Sequence, residues 1–161
     1  MKPQHLLQTL VPLALLFLAG DAALLRGEAQ RPVAIAPNGH RFVLEIAATR
    51  EQRAYGYMRR SRVDRGEGML FVFPESDFHS FWMKNCLVPL DILWLGDDLS
   101  VVYLEHDVPP CVKDPCPGYP TMSKARYVLE IRAGMAKKSG LRAGERIHLE
   151  GIDLEKIEVE P

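Results

Sequence analysis

A chain of 161 residues with 20 Lys and Arg against 21 Asp and Glu carries a formal net charge of −1, so bulk charge gives no footprint for nucleic acid and none is expected as a partner. The length fits one ordinary domain with its own core. It shows neither an internal repeat nor a low-complexity segment.

Residues 1–29 read as an export signal. Lys2 supplies a weakly basic start, Leu10 to Gly20 is uncharged, and Ala22 and Ala29, with Gly20 and Gly27 at the third position back, offer two cleavage points. The run is shorter than the roughly 20 apolar residues a membrane span needs. Export to the periplasm or beyond is the expectation, with no stable span after cleavage; an uncleaved amino-terminal anchor is the alternative. No cysteine precedes Cys86, so a lipid-modified amino terminus is not expected.

Residues 30–40 hold Pro32, Pro37 and Asn38-Gly39, which is linker and turn chemistry. The domain is expected over 41–151. Phe42, Leu44 and Ile46 alternate with Arg41, Val43 and Glu45, predicting a half-buried strand. Thr49 with Gln52 matches a capping box, and Ala54, Tyr55 and Met58 recur at helical spacing, predicting a short helix over Thr49–Arg60. Gly68–Phe73 is apolar on both faces, as a central strand is, with Pro74 as its stop.

The stretch Ser80–Ile92 concentrates chemistry. With Phe81–Asn85 extended, Trp82 and Lys84 project together about 7 Å apart along the strand, and Phe81 and Met83 point the other way. Leu90–Leu95 and Val101–Val108, joined by Gly96-Asp97-Asp98, form the clearest hairpin. Asp91 lies inside its first strand and must be paired or near an end, because an unpaired buried carboxylate is costly. Pro109–Ser123 is a proline-rich loop in which Cys111 and Cys116 are close enough to pair in an oxidising compartment. In Arg126–Ile131, Tyr127, Leu129 and Ile131 share one face, with Glu130 and Arg132 on the other. A helical turn over Gly134–Ser139, then Ile147 and Leu149 at the sheet edge, complete the domain; residues 152–161 read as an acidic tail. Short strands about ten residues apart predict a mainly β domain, an antiparallel sandwich or partly closed barrel with one or two short helices.

Several segments together resemble the domain-of-unknown-function family 192. They are Thr49-Arg-Glu-Gln-Arg, Gly56-Tyr-Met-Arg-Arg, Gly68-Met-Leu-Phe, Phe81-Trp-Met-Lys-Asn, Pro89-Leu-Asp-Ile and Leu129-Glu-Ile-Arg-Ala-Gly. The resemblance runs from about Phe42 to Gly151 and implies a compact, mainly β domain, often exported from bacteria and present in archaea, with no activity to carry across. This chain departs from the family pattern at Cys86, where threonine is usual, and at Tyr57, where leucine is usual.

Binding of an extracytoplasmic ligand, carbohydrate or peptide, is the leading expectation. Trp82 beside Lys84 and Asn85 offers a stacking surface with donors, Asp91 and Glu67 offer acceptors, and Arg60 (or Arg59) offers an anion contact. The competing structural reading is an internal Lys84–Asp91 ion pair that fixes strand register. Glu130 is either a partner for an arginine such as Arg60 or an exposed strand residue. Two hydrolase-like alternatives are a Cys86, His79 and Asp91 constellation and a Glu67–Asp91 carboxylate pair. A copper alternative would draw on Met58, Met69, Met83, Met122, His79, His106 and Cys86. No cofactor is expected, and the oligomeric state is left open.

Overall fold

The computed structural model describes residues 30–161, and the expected export signal lies outside them. The elements in chain order are β1 (Val33–Ile35), β2 (Arg41–Ala47), α1 (Arg50–Tyr55), β3 (Glu67–Asp77), β4 (Phe81–Trp82), β5 (Leu90–Leu95), β6 (Val101–Val108), β7 (Gly118–Tyr119), β8 (Ala125–Arg132), α2 (Met135–Ser139) and β9 (His148–Glu150). Seven strands form one curled half-barrel sheet in the order β6-β5-β8-β3-β2-β1-β9, and β4 pairs with β7 in a separate ribbon. The expected mainly β, single-domain fold with two short helices is what the chain adopts.

The hairpin β5–β6 forms as its apolar run and turn residues predict. Strand β2 buries Phe42 and Leu44 and exposes Arg41 and Glu45, as its period of two requires. Three features differ from expectation. The stretch read as a linker contains β1, which joins β2 to β9. Strands β2 and β3 pair in parallel, because α1 and the loop after it carry the chain back to the same end of the sheet. Pro74 does not end β3 but falls where the pairing with β8 lapses, between Val72 and Asp77, so its missing N–H costs no ladder bond.

Both faces of the sheet are covered. One face gathers Leu70, Leu93, Leu129 and Ile131 under α2 and the carboxy-terminal segment. That segment is more than a solvated acidic tail: Ile157 and Val159 pack on the core, and the Glu160 amide donates to the Ala48 carbonyl at 3.1 Å. The other face gathers Met69, Phe71, Ile92, Trp94 and Val128 under Tyr57, Met83 and Cys86. Here the ribbon docks through Phe81, which meets Phe71 and Trp94 edge-on at 5.0 and 5.9 Å between ring centroids. Trp94 is fully buried and donates its indole N–H to the His79 carbonyl at 2.8 Å, so its polar end is satisfied inside the core.

Helix α1 buries no residue, so local chemistry has to hold it. Thr49 and Gln52 close the capping box in both directions. Arg53 donates to the carbonyls of Ala48, Val72 and Glu160, at 2.5, 3.2 and 2.6 Å. The helix stops at Gly56, whose φ of 48° is strained for any residue with a Cβ.

Candidate functional site

A shallow, solvent-open cleft lies between α1 and the β4 ribbon. Tyr55, Gly56 and Tyr57 form one wall, Phe81, Trp82 and Lys84 the other, and Cys86 and Glu130 lie with them. The whole cleft has room for little more than one water-sized group.

The opening wall behaves as strand alternation predicts. Trp82 is 48% exposed whereas its neighbour Met83 is fully buried, and the Lys84 ammonium stands 5.3 Å from the centre of the Trp82 ring. Regular pairing is shorter than expected, covering only Phe81 and Trp82, with an isolated bridge from Lys84 to Cys111. Asn85 adopts a positive φ of 57°, takes the Cys111 carbonyl with its own amide at 2.8 Å, and points its side-chain amide towards Met58 Sδ at 3.9 Å. The disulfide Cys111–Cys116 closes the facing loop.

Asp91 does not join this cleft. It is fully buried, and its two oxygens accept the backbone amides of Asp107 and Ala136 at 2.9 and 2.8 Å. The Lys84–Asp91 ion pair does not form either: Lys84 binds Asp114 at 2.9 Å. Glu67 caps a turn by accepting the Asp64 amide at 2.9 Å. Since β8 lies between β3, which carries Glu67, and β5, which carries Asp91, the two do not form a facing carboxylate pair. Arg60 is committed to Glu45 and lies over the Tyr57 ring at 5.0 Å, so it partners neither an anion in the cleft nor Glu130.

Nor do the nucleophile candidates assemble. Burial pushes the Cys86 thiol up to about 12, far from the thiolate a nucleophile needs. His79 stacks on Phe73 at 3.5 Å, and burial lowers its pKa. Among the described residues no three His, Cys, Asp or Glu side chains gather as metal ligands, which disfavours the copper alternative. Met69 and Met83 are core residues, and Met122 is 84% exposed.

Glu130 is the residue the sequence reading undervalued. It is neither an exposed strand residue nor an arginine's partner. In β8 it sits in register with Met69 of β3 and Ile92 of β5, so its carboxyl emerges on an apolar face. It is 4% exposed, and desolvation raises its pKa to about 8. Tyr57 lines the cleft with it, its hydroxyl buried without a hydrogen-bond partner, and burial followed by the nearby Glu130 charge raises its pKa. A signal was present in the sequence: Val128-Leu129-Glu130-Ile131 is apolar on both faces, as Leu90–Leu95 is around Asp91. Tyr57 and Cys86, the two departures from the family pattern, both line this cleft.

The segments that form and flank the β4–β7 ribbon expose several large apolar side chains. Phe78, Trp82, Leu87, Val112 and Met122 are exposed, and all come from the two segments that the β4–β7 ribbon and the Lys84–Cys111 bridge hold together. Lys124 lies over the Phe78 ring at 6.0 Å. Among the described residues no helix is long and apolar enough to cross a membrane.

Two crystal structures resemble this fold. A protein from Sinorhizobium meliloti, provisionally described as a transcription regulator, is 31% identical with a TM-score of 0.67; the match covers 76% of this chain and 94% of that one. A protein of unknown function from Novosphingobium aromaticivorans is 30% identical with a TM-score of 0.66, the match covering 73% and 83% of the two chains. Among curated proteins none matches significantly. The profile of DUF192, described as Uncharacterized ACR, COG1430, matches residues 32–149, from just before β1 into β9. A match over most of the chain, extending through every strand of the curled sheet, makes this protein a member of the DUF192 family.

Proposed function

We propose that this chain is an exported, non-catalytic recognition module that takes the end of an extracytoplasmic ligand into the cleft between α1 and the β4 ribbon. The observation that carries this reading is the Trp82 ring with the Lys84 ammonium over it, in a cleft lined also by the buried, desolvated Glu130 and by Tyr57, whose hydroxyl has no partner. Buried polar groups are ordinarily hydrogen-bonded, and those left open in a cleft are where a ligand's polar atoms bind. Exposed Phe78, Leu87, Val112 and Met122, on the segments that the ribbon joins, supply apolar area for an extended partner. Export is supported by the signal-like residues 1–29 and by a short-range disulfide, which belongs to an oxidising compartment.

A peptide suits the cleft better than a carbohydrate. The cleft admits little more than a water-sized group, which the tip of a side chain can supply and a sugar ring cannot. Peptide and glycan arrays probed with the wild-type protein and with a Trp82→Ala, Lys84→Ala double variant test the reading. Both positions are solvent-accessible, so the variant should keep its fold while losing retention on peptides. Wild-type protein that binds neither array would end the recognition reading. Retention confined to glycans and lost in the variant would transfer the site to carbohydrate.

A further inference from the structure

Building on the recognition reading above, we propose that the group inserted into the cleft is a primary ammonium, such as a lysine side chain of a peptide. It would be held by the Glu130 carboxylate and the Tyr57 hydroxyl, with Tyr55, Phe81 and Trp82 as aromatic walls.

Glu130 lies among apolar or already engaged neighbours. Its register neighbours on β3 and β5, Met69 and Ile92, are apolar. From α1, Arg53 turns its guanidinium to the carbonyls of Ala48, Val72 and Glu160. From the loop after α1, Arg60 is taken by Glu45 of β2, and Tyr57 carries no charge. From the segment after β4, Lys84 is bound to Asp114, and the Cys86 thiol stays neutral. Arg53, Arg60 and Lys84 are thus engaged elsewhere, exposed Arg59 touches this region through its backbone amide to Asn85, and among the described residues Glu130 has no hydrogen-bond or ion-pair partner. The complement of this floor is a positive charge with N–H donors.

The walls and the size narrow the choice. Aromatic rings attract cations through their negative quadrupole, and Tyr55 and Phe81 line the cleft beside Trp82, whose ring already holds the Lys84 ammonium, so the walls favour an organic cation over an anion of similar size. Gly56 brings backbone close to the carboxyl, a Cβ there lying 3.8 Å from Glu130 Oε2. With room for little more than a water-sized group, the cleft suits –NH₃⁺ better than the larger guanidinium or trimethylammonium. An ammonium has three donors, enough to bond the carboxylate and the tyrosine oxygen together.

Binding of a cation requires Glu130 as carboxylate, so the proton it holds near neutrality leaves to solvent as the ammonium enters. The competent form is about 1% of the protein at pH 6 and about 90% at pH 9, and apparent affinity follows that fraction. Alkylammonium itself stays charged over this range.

Calorimetry of the purified protein with n-butylammonium tests the inference. Affinity should rise roughly 50- to 100-fold from pH 6 to pH 9, with close to one proton released per ligand at pH 7 when two buffers are compared. Glu130→Gln should lose binding at least tenfold and show no pH dependence; Tyr57→Phe should weaken it less and keep the pH profile. Should Glu130→Gln fail to fold, proton release by the wild type still decides. Equal binding of n-butanol, or affinity independent of pH, overturns the inference. A peptide retained through Trp82 whose affinity is unchanged by acetylating its amines also overturns it, while the recognition reading stands. Failure of every amine, peptide and glycan removes both.

Discussion

The Asp91 carboxylate of β5 accepts the amide of Ala136 in α2 at 2.8 Å, across 45 residues of sequence. Gly134 occupies the N-cap position of α2 in the left-handed conformation and has no side chain to cap with. Asp91 supplies the missing cap from a neighbouring strand. Its other oxygen takes the amide of Asp107, where β6 slips register and φ is 49°. One carboxylate thus fixes a helix start and a bulge together.

Asp91→Ala should therefore cost about 3 kcal/mol, because it removes two charge-assisted bonds and leaves the buried Ala136 amide and the part-buried Asp107 amide without their acceptor. Asp91→Asn keeps a single carbonyl acceptor and should cost less. Urea denaturation of the two variants checks the order. Loss of the same size on substituting exposed Trp82 would contradict this division between frame and site.

Glu130 should give stability a negative slope with pH. Its folded pKa, raised from 4.5 to about 8, means that the unfolded chain ionises first. Stability from this group is full below pH 4.5 and is lost as pH rises towards 8, by on the order of a few kcal/mol. Glu130→Gln should flatten that slope and be more stable than wild type at pH 9. Denaturation at pH 5, 7 and 9 measures the difference; parallel wild-type and variant profiles would show that Glu130 is not desolvated.

Reduction of Cys111–Cys116 should cost about 2 kcal/mol, the loop being short. The local effect should be larger than the global one, since Cys111 bridges Lys84 and bonds the backbone of Met83 and Asn85. Hydrogen exchange at those amides should rise on reduction while the β5–β8 ladder stays protected. Uniform loosening of both would refute it.

Gly56→Ala should destabilise by roughly 1–3 kcal/mol, because φ is 48° and the added Cβ would meet Phe71 Cζ at 3.2 Å. It should also weaken any ligand of the cleft, since Gly56 is part of its wall. Thermal melts together with a binding titration separate the two effects.

Local chemistry was legible in the sequence. The capping box at Thr49, the β5–β6 turn and the Trp82–Lys84 alternation each depend on residues a few positions apart, and each has formed. What the sequence concealed is non-local. Nothing near Asp91 announces a helix 45 residues away, and nothing near Glu45 announces that it will take Arg60 and leave Glu130 alone. The parallel β2–β3 pair likewise depends on where the intervening loop returns. The key floor residue was missed because its strand was read for alternation alone, whereas position between β3 and β5 buries both faces.

The grip of Arg53 on the Glu160 carbonyl ties the frame of the cleft to the last residues of the chain. Helix α1 has no buried anchor of its own, so the stiffness of that wall is set from behind by residues that never see the opening. Deleting 152–161, or pulling on a fusion joined there, would slacken the entrance from the far side, and affinity would change without a single lining residue being touched.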